Sequence, residues 1–106
     1  MRLPSHLVKT IWESGRETSS GKLKIRTITG ENDKPGQFAV LVGSKGLRAV
    51  DRNRWKRLVR EALIGMRHRF KYGTRSVIRT AGPVPQSRTQ AEILIHRLLS
   101  QAGLIR

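Results

Sequence analysis

Between Arg52 and Phe70 the apolar residues recur with the period of an α-helix, and this recurrence limits the fold more than any other feature of the chain. At about 100° per residue, Trp55, Leu58, Val59, Ala62, Met66 and Phe70 fall on one side, while Asn53, Lys56, Arg57, Arg60 and Arg67 gather on the other. Asp51 stands where an N-cap would stand, its carboxylate able to accept the first unpaired amide protons. The pattern predicts a helix from there to near Tyr72-Gly73. Such a helix must lay its apolar face on a core. Its other face is almost purely cationic. Residues 43–63 carry seven Lys or Arg, and Glu61 is the only acid between Arg52 and Lys71. Ion pairs at i, i+4 therefore cannot absorb the charge. A solvated face is the ordinary reading when signs are mixed. With a single sign, a polyanion is the simplest means of offsetting the repulsion.

The whole chain has the same bias: 22 Lys and Arg against 7 Asp and Glu, a net charge of +15. That is the electrostatic footprint of a nucleic-acid binder. A membrane surface is the other anionic candidate, but the basic helix needs its apolar face for the core rather than for lipid. The chain of 106 residues suits one domain, 1–106, with a single modest core. It has no cysteine, so neither a disulfide framework nor a thiolate metal site is available. The longest apolar run, Phe38 to Val42, is too short to span a bilayer, and no secretory segment is visible. A cytoplasmic location is expected.

Taken in order, Ser5 is a plausible N-cap for a short helix with Leu7, Val8, Ile11 and Trp12 on one side and Gly15 as its stop. Residues 15–21 read as a turn or loop. From Lys22 to Thr29, Leu23, Ile25 and Thr27 alternate with Lys22, Lys24 and Arg26, which predicts a half-buried strand with a basic outer face. Residues 30–36 read as a hairpin loop, and residues 38–43 as a central strand covered on both faces. Ser76 to Thr80 is a third strand, followed by a Gly82-Pro83-Val84-Pro85 loop. Ser87 with Gln90 gives a capping box for a last helix striped by Ala91, Leu94, Ile95, Leu98 and Ala102, with Gly103 as C-cap. The order is α-β-β-α-β-α, an α+β fold.

Chemistry by the protein alone finds little support. The acids form no cluster for the paired ions of a metal nuclease. His6, His68 and His96 are far apart in sequence, with no partner at zinc-ligand spacing. Gly43 and Gly46 around Ser44-Lys45 are only a fragment of a phosphate loop.

The run Ala49-Val50-Asp51-Arg52-Asn53-Arg54-Trp55-Lys56-Arg57-Leu58-Val59-Arg60-Glu61-Ala62 resembles the signature of the bacterial ribonuclease P protein component. The likeness extends to the opening helix with Gly15-Arg16, the crossover from Val42 to Arg54, the Val77-Ile78-Arg79 strand and the closing leucine-rich helix. It implies a compact two-layer α/β sandwich with a left-handed βαβ crossover, where the general rule would give a right-handed one. It implies a non-catalytic subunit of an endoribonuclease holoenzyme. Its partners would be a catalytic RNA, which uses bound Mg2+, and precursor tRNA, from which the 5′ leader is removed. No cofactor on the protein itself, no membrane and no obligatory protein partner are implied. By the same resemblance Arg52, Asn53, Arg54, Lys56, Arg57 and Arg60 contact the RNA subunit, with Lys45 and Arg48 before them. Val8 and Trp12 fall on the two aromatic positions of a leader cleft that Lys22, Lys24 and Arg26 could line. Departures are Val8 for an aromatic, Ser44 for a lysine, Leu47 for a glycine, a thin N-terminal basic cluster, and an arginine at Arg79 rather than near Ala81. A structural RNA-binding protein without a role in cleavage, and a stand-alone ribonuclease using the histidines, stay open as alternatives.

Overall fold

The computed structural model describes residues 3–30 and 34–106. A 3₁₀ turn, Ser5–Leu7, runs into α1 (Val8–Ser14); β1 (Arg16–Ser20), β2 (Leu23–Thr29) and β3 (Gln37–Val42) follow. Then come α2 (Ala49–Gly65), a 3₁₀ turn at Arg67–Arg69, β4 (Thr74–Thr80) and α3 (Arg88–Ala102). One sheet takes the order β1-β2-β4-β3. β2 pairs antiparallel with β1 and β4, and β3 pairs parallel with β4. α2 is the crossover of the parallel pair, which no tight turn could join.

The period-2 alternation of β2 sorts the two faces. Leu23 and Ile25 join Phe38 and Ile78 in the main core, roofed by Trp55, Val59, Ala62 and Leu63 from α2 and by Ile95, Leu98 and Leu99 from α3. Thr27 is buried on this face with Ser76, their hydroxyls 2.9 Å apart. Lys24, Arg26 and Ile28 point the other way, where α1 lies. There Leu3, Ile11 and Val77 form a second cluster that Leu7, Val8, Trp12, Ile28 and Ala39 extend. The apolar stripes expected for α2 and α3 face the main core, Leu94 being only partly buried.

Seven expectations are corrected. Residues 16–20 are a strand, not a loop. Ser20 pairs with Leu23, so the hairpin turn is Gly21-Lys22, with Gly21 at φ +60°; two-residue loops of this kind need such a φ. Residues 30–36 do not form a hairpin loop, because β4 lies between β2 and β3; residues 31–33 of that cluster lie outside the described ones. β3 is an edge strand rather than a central one. It is apolar on both faces because Phe38 packs in the main core and Ala39 against the α1 cluster, while Leu41 is 38% exposed. α2 starts three residues earlier than Asp51 suggests: Arg48 is the N-cap, and Asp51 accepts its backbone N–H at 3.2 Å from the third helical position. It also stops at Gly65, and a separate 3₁₀ turn carries Arg67 to Arg69. At α3, Ser87 Oγ accepts the Gln90 N–H at 3.2 Å, but the Gln90 side chain reaches the Gln86 N–H instead of completing the box. Ser5 lies inside the first 3₁₀ turn and makes no side-chain cap.

Gly15 joins α1 to β1 with an ordinary extended backbone, φ −73° and ψ 155°. Its need for glycine is steric: a Cβ there would sit 2.6 Å from the Ile11 carbonyl oxygen and 3.0 Å from the Thr27 nitrogen. Gly15→Ala is expected to lower stability by about 1–3 kcal/mol, read as a drop in urea midpoint with unchanged m. A variant as stable as wild type would show that α1 is not pressed this closely onto the sheet.

Candidate nucleic-acid interface

The first surface is the outer side of α2 with the loop that feeds it. Gly46, at φ +74°, turns this loop, and the Leu47 N–H bonds the Ser44 carbonyl at 3.1 Å. Arg48 is occupied locally, its Nε donating to Asp51 Oδ2 at 3.3 Å. Beyond it Lys45, Asn53, Arg54, Arg57 and Arg60 are exposed, and Arg52 and Lys56 are half-buried. Among the described residues ion pairs join Lys9 to Glu13, Arg26 to Glu17, Arg48 to Asp51 and Arg88 to Glu92. None involves Lys45, Arg52, Arg54, Lys56, Arg57 or Arg60. The α2 face thus presents cations not neutralised within the fold. Arg54 donates to the Gln86 carbonyl at 3.3 Å, which ties this face to the start of α3. Arg52 differs from its neighbours: its Nε is buried without a partner, so only part of its guanidinium faces outward. Its substitution would report on packing as well as on charge.

The second surface lies on the far side of the sheet. Trp12 is half-buried, with the Arg26 guanidinium 4.5 Å and that of Arg79 6.0 Å from its ring centroid. Lys24 pairs with Arg79 across the sheet and so stands on the same face as Trp12 and Arg26. Val8, one helical turn before Trp12 on α1, packs against the same apolar cluster but also faces a separate opening, and Lys22 lies away from them. Val8 lines a groove of about 580 Å³ at the β3 edge, with Pro4, Leu41, Arg60 and Ile64 among its neighbours. The Lys22 stem lies against Gly82, past the end of the strands. Two residues of this surface escaped the sequence reading of the site. Arg79 was legible as a strand cation but had no reason to meet Trp12. Glu17 was hidden inside the supposed loop; the Ser-Gly-Lys hairpin signal ahead of the alternating β2 would have exposed it.

The histidines lie on three different elements. His6 is in the first 3₁₀ turn, His68 in the second, and His96 is on α3 with its Nε2 3.1 Å from Arg69 Nη1. Among the described residues no three His, Asp or Glu converge as metal ligands, and no helix is long and apolar enough to cross a membrane.

The Ribonuclease P family model matches residues 5–102. The chain belongs to the ribonuclease P protein family. A curated member, the ribonuclease P protein component of Clavibacter michiganensis subsp. michiganensis, is 31% identical over 71 residues, which cover 67% of this chain and 63% of that relative. The Staphylococcus aureus RNase P protein superposes with a TM-score of 0.84 at 16% identity, covering 98% of this chain and 95% of that one. The Thermotoga maritima protein, in complex with 1-(4-fluorophenyl)-2-thiourea, gives 0.81 at 18% identity, with 94% and 98% covered. At such identities the structures speak for the α+β fold alone. The family match itself rests on the sequence.

Proposed function

We propose that the protein is the RNA-binding subunit of a ribonuclease P holoenzyme, acting in the cytoplasm on precursor tRNA. The observation that carries this is the α2 face: five cations outside any ion pair on one rigid element, with Lys45 in the loop before it, in a chain of this family. Arg54, Arg57 and Arg60 would fork onto phosphates of the RNA subunit, with Lys45 and Lys56 as point charges. Asn53 would hydrogen-bond a base edge. The Trp12, Lys24, Arg26 and Arg79 surface faces away from α2 and would hold single-stranded leader there. Magnesium enters this reading as the ion used by the RNA subunit. The protein's part is to neutralise phosphate charge so that RNA subunit and substrate approach one another.

Reconstitution tests it. Purified protein is added to a bacterial ribonuclease P RNA and a precursor tRNA with a 5′ leader, at low magnesium and physiological salt. The expected result is accurate 5′ cleavage, lost in Arg54→Ala/Arg57→Ala. Stimulation no greater than that of polylysine would refute the assignment and leave a structural RNA-binding role. Cleavage by protein without RNA would refute it in favour of a ribonuclease.

A further inference from the structure

The register of β1 on β2 sets Glu17 directly opposite Arg26. Its Oε1 accepts from Arg26 Nε at 3.3 Å and from Nη2 at 3.2 Å, while Nη1 donates to the Trp12 carbonyl oxygen. The guanidinium also covers the Trp12 ring. Three of the five N–H donors of Arg26, the Nε–Nη2 fork among them, are therefore engaged in the free protein. Among the strand residues of this face, Lys24, Arg26, Arg75 and Arg79 are cationic, and Glu17 is the one carboxylate. Both partners of the pair keep access to solvent, with side-chain exposures of 29% for Arg26 and 39% for Glu17.

We infer that Glu17 is a built-in competitor for phosphate at Arg26, a specificity-determining residue that holds this arginine in reserve until single-stranded RNA displaces the carboxylate. The inference rests on the cleft reading given above and adds to it a residue that the family signature does not mark. The fork that Arg26 offers to a carboxylate is the fork it would offer to a phosphate, so the two anions compete for the same N–H pair. A strand arriving with successive phosphates also meets Lys24 and Arg79 beside Arg26, whereas an isolated phosphate meets an Arg26 whose Nε–Nη2 fork is already occupied. Glu17 thus raises the threshold for weak or short ligands.

The test needs neither the RNA subunit nor cleavage. A short oligouridylate is titrated against the intact protein and Trp12 fluorescence is followed, the second tryptophan, Trp55, being 2% exposed and a constant background. Glu17→Gln should bind about two- to fivefold tighter than wild type, the range that an exposed ion pair of this kind spans. Glu13→Gln makes the same change in net charge at another ion-paired site, with Lys9 and Glu13 3.9 Å apart, and should leave affinity unchanged. In an Arg26→Ala background the gain from Glu17→Gln should vanish, because the competition runs through that arginine. Equal gains from Glu17→Gln and Glu13→Gln, weaker binding by Glu17→Gln, or a gain that persists without Arg26 would each overturn the inference while leaving the cleft intact. If the oligouridylate leaves Trp12 unperturbed in every variant, the cleft reading falls and the competitor with it.

Discussion

Trp55→Ala should cost about 3–5 kcal/mol of folding stability. The indole is 2% exposed and lies in the main core between α2, the sheet and α3. Its Nε1 donates to the Gly82 carbonyl at 3.2 Å, pinning the rigid loop after β4 to the second turn of α2. Alanine would remove the ring, leave a cavity that close-packed neighbours only partly fill, and leave that carbonyl short of a donor. A domain of this size has only about 5–15 kcal/mol in hand, so the melting temperature should fall by roughly 15–30 °C. Trp55→Phe separates the two contributions: it keeps most of the packing and loses the hydrogen bond, for about 1–2 kcal/mol. A Trp55→Ala protein that melts within a few degrees of wild type would mean that this side of α2 is not the buried one.

That inside/outside division was readable in the sequence because it rests on one periodicity sustained over many residues. Trp55, Leu58, Val59 and Ala62 recur at helical spacing, and no local irregularity interrupts them. The ends of the same helix were less readable. Asp51 is a good N-cap residue by type, yet it serves from the third helical position, and Arg48, a poor cap by type, takes the first place. The carboxylate satisfies a backbone N–H either way, so composition could not choose the register. β1 left no periodic trace at all. Arg16 to Ser20 contains no apolar residue; what makes it a strand is main-chain pairing to β2, with Arg16 bonded to the Ala102 carbonyl at 3.4 Å. β3 failed in the opposite sense. Its apolar run is that of a covered strand, and it is covered, but by α2 and the N-terminal segment rather than by neighbours on both sides in the sheet. The same limits apply to the candidate site. The α2 cations follow from sequence spacing alone, whereas the meeting of Trp12, Arg26, Arg79 and Glu17 depends on strand order and on where α1 lands.

The largest functional effect should come from the face opposite Trp55. Replacing Arg54, Lys56, Arg57 and Arg60 together by alanine should leave folding intact, since three are exposed and Lys56 half-buried, none is ion-paired, and alanine favours a helix. Binding to the RNA subunit should suffer heavily. If wild type makes about six phosphate contacts, log K should fall against log salt with a slope of about −4 to −5. Removing four contacts should flatten that slope to about −1.5 to −2. Each lost contact forfeits about 0.6–0.7 log units at ~0.15 M salt, so the affinity should drop about a hundred- to thousandfold. Filter binding over a range of salt gives slope and affinity, and a thermal melt of the same sample gives folding. The slope is the more telling of the two. A weakened variant with the wild-type slope would have lost shape or a base contact rather than phosphates. A variant with wild-type affinity would move the RNA surface off α2, and the charge on that helix would then need another purpose. Loss of slope with an unchanged melt is the outcome that a helix built with one face for the core and one for phosphate requires.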